Sequence, residues 1–75
     1  MKEIKKPHVG NVIKAKLKEQ GRTVTWLAKQ LSFTRENLYN IFNKEYISTN
    51  LLLRISEILG YDFFNDFSQY LNKKK

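Results

Sequence analysis

The stretch TVTWLAKQLSFTRENLYNIF, residues 23–42, contains two amphipathic segments separated by three residues. Apolar residues that share one helical face lie in both segments: Leu27, Ala28 and Leu31 in the first, and Leu38, Ile41 and Phe42 in the second. The break between the segments is Ser32-Phe33-Thr34. This spacing predicts two short helices joined by a tight turn, which is a helix-turn-helix layout.

Two threonines mark where these helices begin. Thr23 has a side chain suited to an N-cap, so the first helix of the pair starts after it and runs to about residue 31. Thr34 stands in the same relation to a helix over about residues 35–43. Phe33 and Leu38 flank Thr34 at the spacing of a hydrophobic staple. Two local signals therefore agree on the start of the second helix.

Three further helices are predicted around this pair. Residues 8–20 carry apolar side chains at intervals of three and four, and Gly21 is placed to end that helix in a left-handed conformation. Ser48 is the predicted N-cap of a helix over residues 49–59, which Gly60 ends. No segment alternates with the period of a strand, so the expected fold is all-α with five helices.

The fifth predicted helix, residues 61–71, carries a stripe of large apolar side chains: Phe63, Phe64, Phe67, Tyr70 and Leu71. A domain this small needs such area in its core, so burial is the favoured interpretation. A surface for a partner, including a dimer patch, remains open as the alternative.

The length of the chain limits its organisation. Its 75 residues form one small domain, because so short a chain cannot divide its core. We expect this domain to occupy residues 9–71, between a basic arm over residues 1–8 and a basic tail over residues 72–75.

Composition argues against several classes of function. The chain has no cysteine and a single histidine, His8, so disulfides, thiolate metal sites and histidine clusters are excluded. No nucleophile with a base and no phosphate-binding loop can be assembled, so we expect neither an enzyme nor a cofactor. The longest apolar run, residues 51–53, is far shorter than the ~20 residues that span a bilayer. We therefore expect a soluble, cytoplasmic protein without a membrane partner.

Positive charge is concentrated in the first two thirds of the chain. Fourteen Lys and Arg against seven Asp and Glu give a net charge of +7. Residues 1–50 hold ten of the basic and four of the acidic residues, whereas three of the four basic residues after position 50 are the terminal lysines. This field attracts polyanions, with nucleic acid the first candidate.

The polar face of the helix predicted at residues 35–43 carries side chains that do not favour a stable helix. Arg35 stands at the first helical position, where a positive charge opposes the helix dipole. Asn37 and Asn40 are poor helix formers and lie three apart, on the same side. Side chains that are locally unfavourable but suited to hydrogen bonding with base edges indicate a functional surface.

The order of helices, with the pair at positions two and three, resembles the lambda-repressor-like family of helix-turn-helix proteins (Cro/repressor, xenobiotic-response-element type), over roughly residues 9–71. The family pattern has a small residue in the second helix, a Gly four residues later and an aliphatic residue six beyond that. Here these positions hold Ala28, Ser32 and Leu38. The runs RENLYNIF (35–42) and ISTNLLLRISEILGYDFF (47–64) resemble small bacterial regulators of this type. Ser32 departs from the common Gly at a position that often has a left-handed backbone, which serine can adopt at modest strain.

The resemblance implies that the third helix enters the major groove of DNA. Five residues then become candidates for contact with base edges: Thr34, Arg35, Glu36, Asn37 and Asn40. The chemistry of three of these residue types agrees, because Arg pairs with guanine, Asn with adenine and Glu with the amino group of cytosine. Glu36 has an equal alternative interpretation, since an acid in the first turn favours the helix dipole.

The resemblance also implies contacts between the DNA backbone and the residues on either side of the third helix. The candidates donate through hydroxyl, indole, amide or ammonium groups: Thr23, Trp26, Tyr39, Asn43, Lys44 and Tyr46. Trp26 lies off the apolar face of its helix, so its ring should be half exposed. Packing against the third helix or a neighbouring chain is the alternative role of Trp26.

Two functions of different classes follow. The first is a sequence-specific regulator, such as a repressor, that binds double-stranded DNA as a homodimer, with half-sites about 34 Å apart. The second is a protein-interaction module, such as an antitoxin or adaptor, that uses the aromatic C-terminal helix. No separate ligand domain is present, so no small-molecule ligand is expected.

Overall fold

The computed structural model describes residues 8–74, with the side chains of residues 70 and 72–74 left aside. Within this range the chain forms five helices and no strand. The helices are α1 (Val9–Glu19), α2 (Val24–Leu31), α3 (Arg35–Phe42), α4 (Thr49–Leu59) and α5 (Phe63–Lys74). The predicted all-α class is confirmed. Of the basic arm predicted at residues 1–8, only His8 lies among the described residues.

The first four helices each begin at a side chain that caps their N-terminus. The hydroxyl oxygens of Thr23, Thr34 and Ser48 accept the N–H of the residue three positions on, at 3.0–3.1 Å. These three N-caps were predicted and are confirmed. The fourth cap is His8, whose Nδ1 accepts the Asn11 N–H at 3.1 Å. His8 was expected inside the first helix, but it precedes it.

Three helices end in the same way, with a residue in the left-handed conformation. Gly21 follows α1 at φ 71°, Ser32 follows α2 at φ 60° and Gly60 follows α4 at φ 63°. In each case the next N–H reaches back five residues to a helical carbonyl; Phe33 donates to Ala28 at 2.8 Å. Ser32 therefore adopts the left-handed conformation, at a strain that glycine would avoid.

The core is a single cluster to which all five helices contribute. The buried apolar side chains are Val9, Ile13, Leu17, Leu27, Ala28, Leu31, Leu38, Ile41, Phe42, Leu52, Ile55, Leu59 and Phe63. Around this cluster, α1 packs on α3, and α2 packs on both α3 and α4. The α2–α3 pair thus packs against α1 on the α3 side and against α4 on the α2 side.

The last helix departs from the prediction at both ends. It begins at Phe63 rather than residue 61, because Asp62 caps it by accepting the Phe64 N–H at 3.0 Å. It continues to Lys74, so residues 72–74, which the sequence assigned to a tail, are helical. The aromatic stripe is divided between core and surface. Phe63 is buried and Phe67 half-buried against the core, whereas Phe64 and Leu71 are 36% and 60% exposed.

Candidate nucleic-acid interface

The outward face of α3 is polar except for the exposed ring of Tyr39. All five candidates for base contact, residues 34–37 and 40, are exposed, while the opposite face of the helix is buried. Arg35, Glu36 and Asn37 occupy the first turn, and Asn40 follows one turn later. Because residues three or four apart share a face, Asn40 lies beside both Glu36 and Asn37. One helix therefore brings these candidates together on one surface.

Thr34 differs from the other four candidates for base contact because its side chain caps a helix. Its Oγ1 accepts the Asn37 N–H at 3.1 Å and caps α3. The hydroxyl can still donate its own proton, so a contact to a base or a phosphate remains chemically available. Replacement of Thr34 would disturb the start of α3 as well as any contact, so it is a poor residue for testing function.

Arg35 carries an uncompensated positive charge. The only ion pair among the described residues joins Lys16 and Glu19 at 2.8 Å, on α1. The guanidinium of Arg35 is thus exposed, bound to no carboxylate in the described part of the chain, and placed where the helix dipole is also positive. Such a group adds nothing to the fold, and its donors are available for an acceptor-rich ligand.

The segment after α3 is fixed by backbone hydrogen bonds to the start of α1. The Gly10 N–H donates to the Lys44 carbonyl at 2.9 Å, and the Val9 N–H donates to the Glu45 carbonyl at 3.1 Å. Within the segment itself, the Lys44 N–H donates to the Ile41 carbonyl at 3.0 Å. The exposed side chains of Asn43 and Lys44 are therefore attached to a backbone held from two sides.

Gly10 makes this contact between α1 and α3 possible. A Cβ at residue 10 would overlap the carbonyl carbon and oxygen of Phe42 and lie 2.6 Å from the Ile41 carbonyl oxygen. Real Cβ atoms do not come so close to backbone atoms, so only glycine allows α1 to approach the end of α3. The sequence alone does not show this role of Gly10, because its contact is with residues far along the chain.

Two tyrosines extend the exposed surface around the end of α3. Tyr39 is 46% exposed and packs edge-on against the Phe42 ring, with centroids 6.3 Å apart. Tyr46 is 60% exposed. Both side chains are therefore largely accessible to solvent.

The start of α2 holds the two remaining candidates. Thr23 is exposed and caps the helix by accepting the Trp26 N–H at 3.0 Å. Trp26 is half-buried against the core, as predicted, so its ring has one face in the protein and one towards solvent. The Arg22 guanidinium lies over this ring, 4.4 Å from its centroid. Arg22 was not among the predicted residues, because its contact with Trp26 crosses a helix boundary.

A second side-chain cluster joins the end of α1 to the start of α5. Lys16 pairs with Glu19 and lies 4.0 Å from the centroid of the Tyr61 ring, and the Tyr61 hydroxyl donates to Asp66 at 3.0 Å. This hydrogen bond raises the pKa of Tyr61 above its ordinary value, with burial and the charge of Asp66 acting in the same direction. The cluster fixes α5 and is separate from the exposed face of α3.

Other kinds of site find little support in the described part of the chain. No group of three His, Cys, Asp or Glu side chains is placed to hold a metal ion there. No helix among residues 8–74 is long and apolar enough to cross a membrane. Comparison of the sequence and structure with protein-family models, with curated proteins and with solved structures gives no match.

Proposed function

We propose that this chain is a sequence-specific regulator that binds double-stranded DNA in the cytoplasm, with α2 and α3 acting as a helix-turn-helix. The exposed face of α3 carries the proposal. Arg35, Asn37 and Asn40 are exposed, poorly suited to a helix and not used by the fold through their side chains. Their chemistry matches the donor and acceptor pattern of the major groove.

The dimensions of α3 suit this groove. An α-helix with its side chains is about 10–12 Å across, and the major groove is about 12 Å wide, so the exposed face of α3 can reach base edges there. A docked α3 would place its first turn against base edges. The residues on either side, Thr23 and Trp26 before it and Asn43 and Lys44 after it, would then approach phosphates.

We also propose that two copies act together. A single small helical unit covers little DNA, and symmetrical pairing doubles the contact. The exposed Phe64 and Leu71 are seven residues apart, so they share one face of α5 and could meet their counterparts in a second copy. The same surface favours the second candidate function, in which α5 binds a different protein such as the toxin partner of an antitoxin.

Fluorescence anisotropy with random-sequence duplex DNA across a salt series tests the DNA proposal. We expect affinity that falls steeply and linearly on a logarithmic salt scale, because phosphate contacts release counterions. Binding that is absent or insensitive to salt would contradict DNA binding and favour the protein-interaction alternative. Selection of bound sites from a random pool would then supply the preferred sequence.

Variants at Arg35 and Lys44 separate base contact from phosphate contact. On the selected site, Arg35→Ala should cost about 1–3 kcal/mol and relax the preference at one base pair. Lys44→Ala should weaken binding to all sequences alike and reduce the salt slope by about 0.9. Both measurements use the same anisotropy assay. If the two variants lost affinity in the same pattern, the division between base and phosphate contacts would be wrong.

A further inference from the structure

The side chain of Arg22 lies over the indole ring of Trp26. The guanidinium carbon lies 4.4 Å from the centroid of the indole ring, within the range of a cation–π interaction. Trp26 is itself held, because it is half-buried against the core and its backbone N–H donates to the Thr23 hydroxyl oxygen at 3.0 Å. The ring is therefore a rigid platform for a side chain that is otherwise exposed.

The backbone of Arg22 is held as well. Its N–H donates to the Leu17 carbonyl at 3.0 Å, closing the end of α1, and the preceding Gly21 has the left-handed conformation that this closure needs. The next residue, Thr23, begins α2. Arg22 is thus anchored through its backbone and its guanidinium, which is unusual for an exposed arginine with several rotatable bonds.

The stack leaves the hydrogen-bonding capacity of Arg22 unused. A cation–π contact with a ring does not use the five N–H donors of a guanidinium. No carboxylate among residues 8–74 pairs with Arg22, since the one ion pair described there is on α1. The first turn of α2 contains no acidic residue either.

The position of Arg22 does not favour the stability of α2. A positive charge just before a helix opposes the helix dipole, and an acid in the first turn would have relieved the conflict. An anchored, unpaired guanidinium in this field is suited to a ligand that is anionic and accepts several hydrogen bonds. A phosphate group has this chemistry.

We infer that Arg22 is a phosphate-contacting residue of the DNA interface and that Trp26 positions it by stacking. The inference rests on the proposed function and changes one part of it. Trp26 was a candidate for direct contact through its indole N–H, and here it acts through Arg22. The Arg22 side chain is then already ordered in the free protein, so less conformational entropy is lost when it contacts a phosphate.

The test measures anisotropy of random-sequence duplex DNA in a salt series with full-length Arg22→Ala. Arg54→Ala is the matched control, because Arg54 is an exposed arginine of α4 with no part in the proposed interface. We expect Arg22→Ala to lower affinity about tenfold on every sequence, as for loss of a charge-assisted hydrogen bond, and to reduce the salt slope by about 0.9. The control should keep the wild-type slope.

Two variants of Trp26 test the positioning role. Trp26→Phe keeps an aromatic face and should bind within about threefold of wild type, whereas Trp26→Leu should lose about as much affinity as Arg22→Ala. In the Trp26→Leu background, replacing Arg22 by Ala should then change the DNA affinity little further. If Trp26 only stabilised the fold, the Arg22 replacement would lower the affinity as much there as in the wild type. Thermal unfolding by circular dichroism limits the comparison to variants that fold.

The outcomes separate this inference from the proposed function. If the wild-type protein binds duplex DNA with a steep salt slope and Arg22→Ala behaves like Arg54→Ala, the inference is wrong and the proposed function stands. Full additivity of the Arg22 and Trp26 replacements would remove the positioning role of the ring. If the wild-type protein does not bind duplex DNA, both proposals are wrong.

Discussion

The helices α3 and α5 are both amphipathic, but they are held and exposed in opposite ways. At α3, Leu38 is fully buried, Gly10 of α1 meets the last turn and the following segment is bonded to α1, while the outer face is polar. At α5, Phe63 and the Tyr61–Asp66 hydrogen bond secure the first turns, and the outer face carries Phe64 and Leu71. A fixed polar face suits a rigid polar ligand, whereas an apolar face suits another protein surface.

The largest effect is expected where α3 is fixed. Gly10→Ala places a Cβ against the backbone of Ile41 and Phe42, which can move only if α1 separates from α3. We expect a loss of about 2–3 kcal/mol in the free energy of unfolding, at the upper end of the cost of overpacking. Denaturant unfolding measures this loss. Elsewhere in a helix the same change stabilises by roughly 0.5–1 kcal/mol, so the sign is informative.

Asn11→Ala, at the neighbouring exposed position of α1, is the control for Gly10→Ala. It should change the free energy of unfolding by less than about 0.5 kcal/mol. A Gly10→Ala protein as stable as wild type would show that α1 does not contact the end of α3 closely. The fixed backbone of α3 would then lose its main support.

The next effect concerns α5 and should spare the fold. Replacing Phe64 and Leu71 together by Ser removes the exposed apolar surface, so self-association should weaken at least tenfold, about 1.4 kcal/mol. Sedimentation equilibrium measures this change. Affinity for a single DNA half-site should stay within about twofold, since these residues lie on neither α2 nor α3.

The matched control for the α5 variant is Ser68→Ala with Gln69→Ala, which changes two exposed polar residues of the same helix. It should leave the oligomeric state unchanged. If the wild-type chain is a monomer at all concentrations and the Phe64 and Leu71 variant is indistinguishable from it, homodimer formation through α5 is wrong. The surface would then remain a candidate for a different protein.

The smallest effect is expected at the turn that leads into α3. Ser32→Gly relieves a left-handed backbone but increases the freedom of the unfolded chain, so we expect a net gain of a few tenths of a kcal/mol in unfolding free energy. The reverse exchange, Gly21→Ser, should destabilise, because Gly21 has the same conformation and no close neighbour to complicate the result. Thermal unfolding measures both. A destabilised Ser32→Gly would mean that the serine side chain has a role beyond the turn.

The helices and the N-caps Thr23, Thr34 and Ser48 could be predicted because each depends on residues close in sequence. Thr34, for example, needs only the N–H of Asn37, three residues away, to cap α3. The exposure of Arg35, Asn37 and Asn40 followed from the apolar face opposite them. Interactions between residues close in sequence were therefore enough to predict most of the fold and the exposed face of the candidate site.

The contacts that position the site could not be predicted in this way. Gly10 meets residues more than thirty positions away, and the backbone donors of Val9 and Gly10 leave no signal in side-chain pattern. The stack of Arg22 on Trp26 joins a residue outside α2 to one inside it, so helical periodicity does not include it. Helix α5 begins two residues later than predicted because the side chain of Asp62 caps it. The aromatic stripe predicts the helix but does not indicate this cap.

The first N–H groups of a helix ordinarily have no backbone partner and exchange their protons rapidly with solvent. In α1, those of Val9 and Gly10 are bonded to carbonyls that follow α3. Separation of the start of α1 from the segment after α3 breaks both hydrogen bonds, so we expect the amide protons of Val9 and Gly10 to be protected from exchange.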